Sequence, residues 1–413
     1  MHRRPVSVDP WTSIPDWRRM PSPAAHLSDV AQALSIRFNA EVYDLKARGE
    51  DVIVLSLGEA FFDIPLFSFA DLPVPDVYHY NSSRGNPDLR RELAAYYGRE
   101  YGVPVDPDTE IVVTAGSKAA IQMSLMAILD PGDEVLVLEP AWVSYSEQVK
   151  LCHAVPVMVP HQCPVAGLDA FVTARTKAVI VNNPNNPSGR VLSRGELERL
   201  YALAGRHDLF VLSDEAYSEF VVDAEFVSCG ALDPRKRRTI VCNSMSKNHG
   251  MSGWRIGYAI GSPALMAEVL KINQHLVTCP PTILEHYLVR HFREVLDITR
   301  PQIAEVVRKR IETARFMEEE CGIASLPGNA TFYLFASIEP STLGSTEFCE
   351  RLLRDHRVCA VPGIGYGASC DRFIRISVGV EPTERVKRGL RAVRGLIEAT
   401  SPAAARPLEP VLV

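Results

Sequence analysis

Between residues 110 and 276 the chain alternates short apolar runs with segments of helical periodicity. The runs that predict strands are 110–114, 134–138, 177–181, 209–213, 239–242 and 255–260. The segments that predict helices between and after them are 117–129, 142–151, 193–206 and 263–276. Because helices connect strands that point the same way, this order predicts an α/β fold with a mostly parallel sheet covered on both faces. Ligands bind such sheets at the carboxyl ends of the strands.

A different pattern flanks this region. A helix is predicted over 22–48 and a short strand over 52–57. After Pro281 the predicted elements are a long helix (283–320), a strand (331–335), a helix (345–356), a strand (373–377) and a helix (382–398). They favour a smaller α+β domain that the N-terminal helix joins. The predicted organisation is an arm (1–23), the two parts of the small domain (24–57 and 286–399), a large domain (58–285) and a flexible tail (400–413).

Charge and cysteine usage exclude several classes of function. The net charge is −6 and the pI about 6.0, so no strongly basic face for nucleic acid is expected. Nine cysteines are scattered without a CxxC pair or a Cys/His cluster, which favours reduced thiols over disulfides or a metal site. No signal peptide is apparent, and no apolar run approaches the roughly 18 residues of a membrane span. A soluble, cytoplasmic protein is expected.

The segment 243–255 places Lys247 among small residues, with Arg255 eight positions later. Small neighbours let a bulky ligand approach the amine, as a lysine that forms a Schiff base requires. Serine hydroxyls such as that of Ser244, together with the arginine, would suit a phosphate. Taken alone, the lysine is more often a solvated surface charge.

Three further motifs follow predicted strands. Gly116-Ser117-Lys118 opens a helix, where backbone N–H groups bind anions, although an ordinary helix cap is the simpler reading. The stretch 182–189 contains two Asn-Pro pairs, which stiffen the connection that carries Asn186, although a plain turn would have the same composition. Asp214 and Tyr217 end another strand, where a buried acid needs a partner such as a protonated heterocyclic nitrogen; a helix-cap aspartate is the alternative.

Taken together and in this order, these motifs resemble the fold type I pyridoxal-phosphate aminotransferases, class I/II, of the aspartate and aromatic aminotransferase kind. The resemblance runs from about residue 24 to 396. It implies a seven-stranded-type sheet in a large domain that binds pyridoxal 5′-phosphate, plus the smaller α+β domain. The implied activity moves an amino group between an amino acid and a 2-oxo acid.

The resemblance also assigns roles. Lys247 matches the Schiff-base lysine that shuttles the proton, and Asp214 the acid on the pyridine nitrogen. Tyr217 and Asn186 match the pair on the 3′-oxygen of the cofactor, and Trp142 the aromatic stacked on its ring. The residues that match the phosphate site are Gly116, Ser117, Lys118, Ser244 and Arg255.

Further matches concern the substrate and a second subunit. Arg375 matches the arginine that clamps the substrate α-carboxylate, and Gly58 the backbone amide on the same group, with Asn186 and Trp142 also on the substrate side. Tyr80 matches a tyrosine that reaches the phosphate of a neighbouring subunit. A homodimer with shared active sites is therefore expected.

Some positions depart from the common pattern. Ala60-Phe61 replaces the usual Pro-Asp, Ala141 an aromatic, and Arg84 a small residue. A small Ala141 would admit a larger substrate and Arg84 would meet an anionic group, unless both are neutral changes. These departures keep two alternatives open. One is a pyridoxal-phosphate enzyme of elimination, substitution or ring closure, for example on S-adenosylmethionine; the other is a non-catalytic regulatory relative.

Overall fold

The computed structural model describes residues 22–402 of the chain. Its strands are β1 (Ile53–Val54), β2 (Ile111–Thr114), β3 (Glu134–Leu138), β4 (Val155–Val159), β5 (Thr176–Asn182), β6 (Phe210–Asp214), β7 (Thr239–Ser244), β8 (Gly257–Ile260), β9 (Tyr333–Ser337), β10 (Val358–Cys359), β11 (Val361–Pro362) and β12 (Phe373–Ser377). Its α-helices are α1 (Leu34–Ala47), α2 (Pro87–Tyr101), α3 (Ser117–Ile128), α4 (Tyr145–Leu151), α5 (Arg194–Arg206), α6 (Cys229–Leu232), α7 (Pro263–Leu276), α8 (Thr282–Glu319), α9 (Ser345–His356) and α10 (Thr383–Ala399).

Seven strands form the larger sheet, in the order β2-β8-β7-β6-β5-β3-β4. All neighbours are parallel except β8, which runs antiparallel to both β2 and β7. The predicted mostly parallel seven-stranded sheet is thus confirmed. In the β5–β6 register Asn182 lies opposite Asp214, so two polar side chains meet at the carboxyl ends of neighbouring strands.

Side chains of the larger sheet alternate between two cores, as the pleat of a strand requires. On β6, Leu212 packs in the cluster that contains Ile121 of α3, while Val211 packs with Leu197 of α5. Each of the two faces therefore removes apolar surface from water, which accounts for strands that are apolar at nearly every position.

A smaller unit combines both ends of the described chain. Strands β11, β12 and β9 form an antiparallel sheet, and β1 pairs in parallel with β10, with Ile53 opposite Val358. Phe38 of α1 lies in the same core as Leu390 of α10. The N-terminal helix therefore packs with the smaller unit. The residue limits given above for the two domains stay a prediction.

Some element limits differ from the predictions. The helix expected over 22–48 is a 3₁₀ turn (Ala25–Asp29) followed by α1, because Ala33 has an extended backbone. The strand expected at 331–335 begins only at Tyr333, since Thr331 has φ +64°. Strand β4 was not predicted; it lies at the sheet edge, where Pro156 is tolerated.

The predicted arm and tail lie outside the described residues, except for 22–23 and 400–402. Within the described part, no helix combines the length and apolarity that crossing a membrane would take.

Candidate active site

A cavity of about 300 Å³ lies where the larger sheet meets the smaller unit. Among its lining residues are eleven of the thirteen predicted site residues, namely Gly58, Ser117, Lys118, Trp142, Asn186, Asp214, Tyr217, Ser244, Lys247, Arg255 and Arg375. The carboxyl ends of β3, β5, β6 and β7 supply most of them, as the parallel sheet predicts.

Lys247 follows β7 in a tight turn, and its Nζ donates a hydrogen bond to the Gly58 carbonyl oxygen at 2.6 Å. Burial lowers the pKa of Lys247 to about 8, and the neighbouring charges of Arg375 and Arg255 act in the same direction. Glu59 and Asp214 oppose them. The amine is therefore partly neutral near physiological pH, as a nucleophilic lysine requires.

Asp214 ends β6 and is held by two donors. The Tyr145 hydroxyl donates to Oδ2 at 2.6 Å, and the Ala216 N–H donates to Oδ1 at 3.1 Å. Burial raises the pKa of Asp214, whereas the hydrogen bond from Tyr145, that from Ala216 and the charge of Lys247 lower it. Tyr145 also packs edge-on against Trp142, with ring centroids 5.3 Å apart.

Tyr217, Asn186 and Tyr333 form a buried polar cluster. The Asn186 Nδ2 donates to the Tyr217 hydroxyl at 3.4 Å, and the Tyr217 and Tyr333 hydroxyl oxygens are 2.9 Å apart. Burial raises the pKa of both tyrosines, so both hydroxyls stay protonated and can donate to an acceptor in the cavity.

The turn between β2 and α3 forms a narrow cradle. Gly116 has φ +82°, and a Cβ there would overlap the Arg255 guanidinium. A Cβ at Gly257 would overlap the backbone of Gly116 and Ser117. The arginine therefore lies directly against the start of α3, where free N–H groups and the helix dipole favour an anion.

Arg375 on β12 is buried, yet within residues 22–402 it forms no salt bridge. Its Nη2 donates to the Ser56 carbonyl at 2.6 Å and its Nη1 to Asn186 Oδ1 at 3.5 Å. The guanidinium lies 4.6 Å from the ring centroid of Tyr333 and 5.6 Å from that of Tyr366. A buried guanidinium without a carboxylate is suited to a ligand anion.

The predictions for Gly116, for Tyr80 and for the pair Ala60-Phe61 have different outcomes. Gly116 does not line the cavity but shapes it through Arg255. Tyr80 is 86% exposed and lies away from the cavity of its own chain, so its expected reach into a second subunit stays a prediction. Phe61 is exposed, and with Ala60 it lines a neighbouring surface pocket that shares Glu59, Ser246 and Ser252 with the cavity.

Neither Arg84 nor Ala141 lines the cavity of this chain. The Arg84 Nη1 donates to the backbone carbonyls of Thr109 and Ile111, and the suggested contact of Arg84 with an anionic group stays a prediction. Ala141 is buried in the apolar core beneath α3 and α4 and lines a separate small pocket rather than the main cavity. A small residue at 141 therefore leaves space behind the site and not on its substrate side.

Comparison with known sequences identifies the family of this chain. The family model for aminotransferase class I and II matches residues 74–393. The chain belongs to the class I and II aminotransferases. An aspartate aminotransferase of Pyrococcus abyssi is 33% identical to it over 85% of this chain and 95% of its own length. An aromatic-amino-acid aminotransferase of Thermococcus litoralis is 32% identical, with coverages of 85% and 93%.

Solved structures of similar proteins agree with this family assignment. The aspartate aminotransferase of Thermus thermophilus, determined with maleate, has a TM-score of 0.82 at 29% identity and covers 91% of this chain and 100% of its own. These relatives support transamination over elimination, ring closure or a non-catalytic role. The protein is an enzyme of this family, whose members use pyridoxal 5′-phosphate.

The cavity of this aminotransferase fits that cofactor on its own geometry. It has an amine with lowered pKa, an anion cradle at Gly116 and Arg255, and a buried acid at Asp214. Trp142 provides an aromatic wall, and Tyr217 a protonated hydroxyl. Each polar group of a phosphorylated pyridine aldehyde therefore has a chemically matched partner.

Several residues that line the cavity were not predicted from the sequence. Tyr145 lies three positions after Trp142, a helical spacing that would place both on one side, so a signal was present. Glu59 follows Gly58, and its carboxylate accepts from the Ser252 hydroxyl. Tyr333 on β9 and Ser35 and Asn39 on α1 also line the cavity. These three come from the smaller unit, and only tertiary packing brings them to the site.

Proposed function

We propose that this aminotransferase takes amino donors with an acidic side chain, and that Lys118 binds the side-chain carboxylate. The supporting observation is the position of the Lys118 ammonium, which lines the cavity 5.1 Å from the Trp142 ring centroid. Burial and the charge of Arg255 lower the pKa of Lys118, and among residues 22–402 no carboxylate pairs with it. Lys118 itself is exposed, and a cation that lines a cavity without a carboxylate partner favours an anionic ligand group.

The cationic side chains of the cavity, which outnumber its carboxylates Glu59 and Asp214, support the same substrate class. Four cationic side chains, those of Lys118, Lys247, Arg255 and Arg375, line the cavity. In our proposal Arg255 binds the cofactor phosphate, Arg375 the substrate α-carboxylate, and Lys247 the cofactor itself. Lys118 then remains for a second carboxylate. Several relatives are named aspartate aminotransferases, and maleate, in the Thermus thermophilus structure, is a dicarboxylate.

We propose the remaining roles from the family resemblance and from the residues that line the cavity. The backbone of Gly116, Ser117 and Lys118 would hold the phosphate with Ser244 and Arg255, and Trp142 would face the ring. Tyr217 and Asn186 would donate to the ring oxygen. The amide of Gly58 would join Arg375 on the α-carboxylate. When bound, pyridoxal phosphate supplies an electron-withdrawing ring that stabilises the charge left on the substrate Cα after its proton is removed.

The chain's own groups would move that proton. Arg375 would fix the α-carboxylate and thereby orient the Cα–H bond toward Lys247. The neutral amine of Lys247 would then take the proton from the substrate Cα. It would release that proton to the carbon atom on the other side of the substrate nitrogen. Asp214, whose carboxylate accepts hydrogen bonds from the Tyr145 hydroxyl and the Ala216 N–H, would hold the ring nitrogen in its protonated state.

We further propose a homodimer with shared sites and a cytoplasmic location. Tyr80 is exposed and away from its own cavity, which is compatible with a reach into a second subunit. All nine cysteines are free thiols, which supports a reducing compartment.

The test of the substrate class is a panel of amino acids, with kcat/KM for the first half-reaction measured from the cofactor absorbance. Aspartate or glutamate should exceed asparagine and phenylalanine by about tenfold or more. Lys118→Gln should lower kcat/KM for the acidic donor by about 10- to 100-fold and change that for phenylalanine by less than about threefold.

Lys177→Gln is the matched control, because Lys177 also lies near an aromatic ring, that of Phe210, but outside the cavity. It should leave every kcat/KM unchanged. A wild-type preference for neutral donors, or an equal loss for all donors in Lys118→Gln, would contradict the proposed substrate class.

A further inference from the structure

Glu139 is a buried acid that connects the larger sheet to the smaller unit. It follows directly after β3, and its carboxylate accepts hydrogen bonds from the N–H groups of Ala368 and Ser369 at 3.1 and 3.0 Å. The Ser369 hydroxyl also donates to it. The acceptor belongs to the larger sheet, and all three donors belong to the turn 363–370, which precedes β12.

The shape of the turn is matched to this carboxylate. Gly367 has φ +133°, and a Cβ there would overlap the Glu139 side chain. Two residues after Glu139, the Ala141 N–H donates to the Tyr366 carbonyl oxygen at 2.8 Å. The segment 139–141, which leads into Trp142, therefore holds the turn at two points.

The same turn supports Arg375. The guanidinium has few polar anchors, because the buried Nε has no partner among the described residues and the Asn186 contact is long, at 3.5 Å. Its orientation depends on the Ser56 carbonyl and on the rings of Tyr333 and Tyr366. A displacement of the turn would move the Tyr366 ring and would loosen one side of the guanidinium.

We propose that Glu139 is a positioning residue that acts through the turn 363–370 and Tyr366 to fix Arg375 relative to Trp142. It thus sets the distance between Trp142, which would face the cofactor ring, and Arg375, which would bind the substrate α-carboxylate. This inference rests on the proposed role of Arg375. It assigns Glu139 no contact with substrate or cofactor.

A specific kinetic pattern follows from this role. In Glu139→Gln an amide NH₂ replaces one carboxylate oxygen and meets the N–H donors of the turn, so the turn shifts. Every amino acid and every 2-oxo acid carries the α-carboxylate that Arg375 binds. KM should therefore rise by a similar factor, about 5- to 20-fold, for all of them, with kcat changed by less than about twofold. The dissociation constant of unreactive succinate should rise by the same factor.

Glu134→Gln is the matched control. Glu134 is a buried acid at the other end of β3, bound to Thr173 and Arg175 rather than to the turn. It should lower the melting temperature without raising KM. Ser369→Ala, which removes one donor on the turn side, should raise KM in the same uniform way, and combining it with Glu139→Gln should add little.

Arg375→Lys tests the proposed role of Arg375 separately from that of Glu139. If this variant leaves KM unchanged, the proposed role of Arg375 fails, and the role of Glu139 fails with it. If Arg375→Lys raises KM while both Glu139→Gln and Ser369→Ala behave as Glu134→Gln does, the contact between Glu139 and the turn 363–370 is only structural and the inference about Glu139 is overturned. Ser369→Ala also decides the matter if Glu139→Gln does not fold.

Discussion

At the scale of single residues, the cavity brings together groups whose charge states depend on each other. The amine of Lys247 lies between the cations of Arg255 and Arg375 and the carboxylates of Glu59 and Asp214. Burial disfavours its protonated form and outweighs the two acids, so the pKa falls. The lysine that we propose to bond the cofactor is therefore a better nucleophile at neutral pH than an ordinary lysine, even before the cofactor binds.

The pKa of about 8 for Lys247 predicts how the cofactor-free enzyme reacts with an amine reagent. A lowered pKa means that the neutral, nucleophilic amine forms at lower pH than for an ordinary lysine. Labelling of Lys247 by trinitrobenzenesulfonate should rise through a midpoint near pH 8 and level off above it, measured by mass spectrometry of the peptide that contains it.

The cofactor-loaded enzyme is the control, because bound cofactor should protect Lys247 at every pH. A labelling rate that still rises steeply above pH 9 would show that burial does not lower the pKa of this amine.

Residue identity and strand order were enough to predict most of the site. Lys247, Asp214 and Tyr217 follow strands whose carboxyl ends share one edge of the sheet, so the alternation pattern already implied their proximity. Tyr333 and Asn39 were not predictable in this way. They depend on how the smaller unit packs against the sheet, and no local pattern encodes that packing.

At the scale of elements, the β2–α3 turn shows how backbone shape creates an anion site. Arg255 has φ +58°, which is uncommon for a residue with a side chain, and its guanidinium occupies the place where residue 116 would carry a Cβ. Close approach of an arginine to a helix start concentrates positive potential there. A glycine is required because no side chain fits between them.

Gly116→Ala should therefore weaken cofactor binding. The Cβ would push the Arg255 guanidinium away and would strain the backbone at φ +82°. We expect the dissociation constant of pyridoxal phosphate to rise by about tenfold or more, a loss of ~1.4 kcal/mol, measured by fluorescence titration of the cofactor-free enzyme.

Gly132→Ala provides the comparison. Gly132 has a similar φ of +90°, but a Cβ there meets nothing within 4 Å. It should lower the free energy of unfolding without changing cofactor affinity. If both variants bind the cofactor as the wild type does, the cradle at Gly116 is not the phosphate site.

The elements that sequence patterns missed are those without a strong local signal. Strand β4 contains Pro156 at the sheet edge, and β10 and β11 have only two residues each. Long periodic helices were predicted well, as α7 matches its predicted limits 263–276. Pairing across the chain, such as Ile53 with Val358, stabilises short strands that their own sequence does not specify.

At the scale of the whole molecule, one surface region stands out for its exposed apolar side chains. Leu66, Val74, Tyr78 and Tyr80 are all large and exposed within 15 residues of chain. Large apolar side chains that are exposed close together along the chain are a feature that an interface with a partner would cover. A second copy of the chain is the partner that the proposed shared site requires, since Tyr80 would then reach the other subunit's phosphate cradle.

A hybrid dimer tests this arrangement directly. Lys247→Ala lacks the essential amine, and Tyr80→Ala should bind the cofactor about tenfold more weakly. In a hybrid of the two, one site combines an intact Lys247 with the intact Tyr80 of the other chain. After the two variants are unfolded, mixed and refolded at limiting cofactor, activity should therefore exceed the mean of the separately refolded variants.

The refolded Tyr80→Ala variant alone, at the same total concentration, is the control for refolding losses. With random pairing about half of the dimers are hybrids, and each hybrid contributes one site with normal cofactor affinity. If the mixture gives only the mean of its components, Tyr80 serves its own chain or none, and the shared active site is excluded even where the protein is dimeric by size.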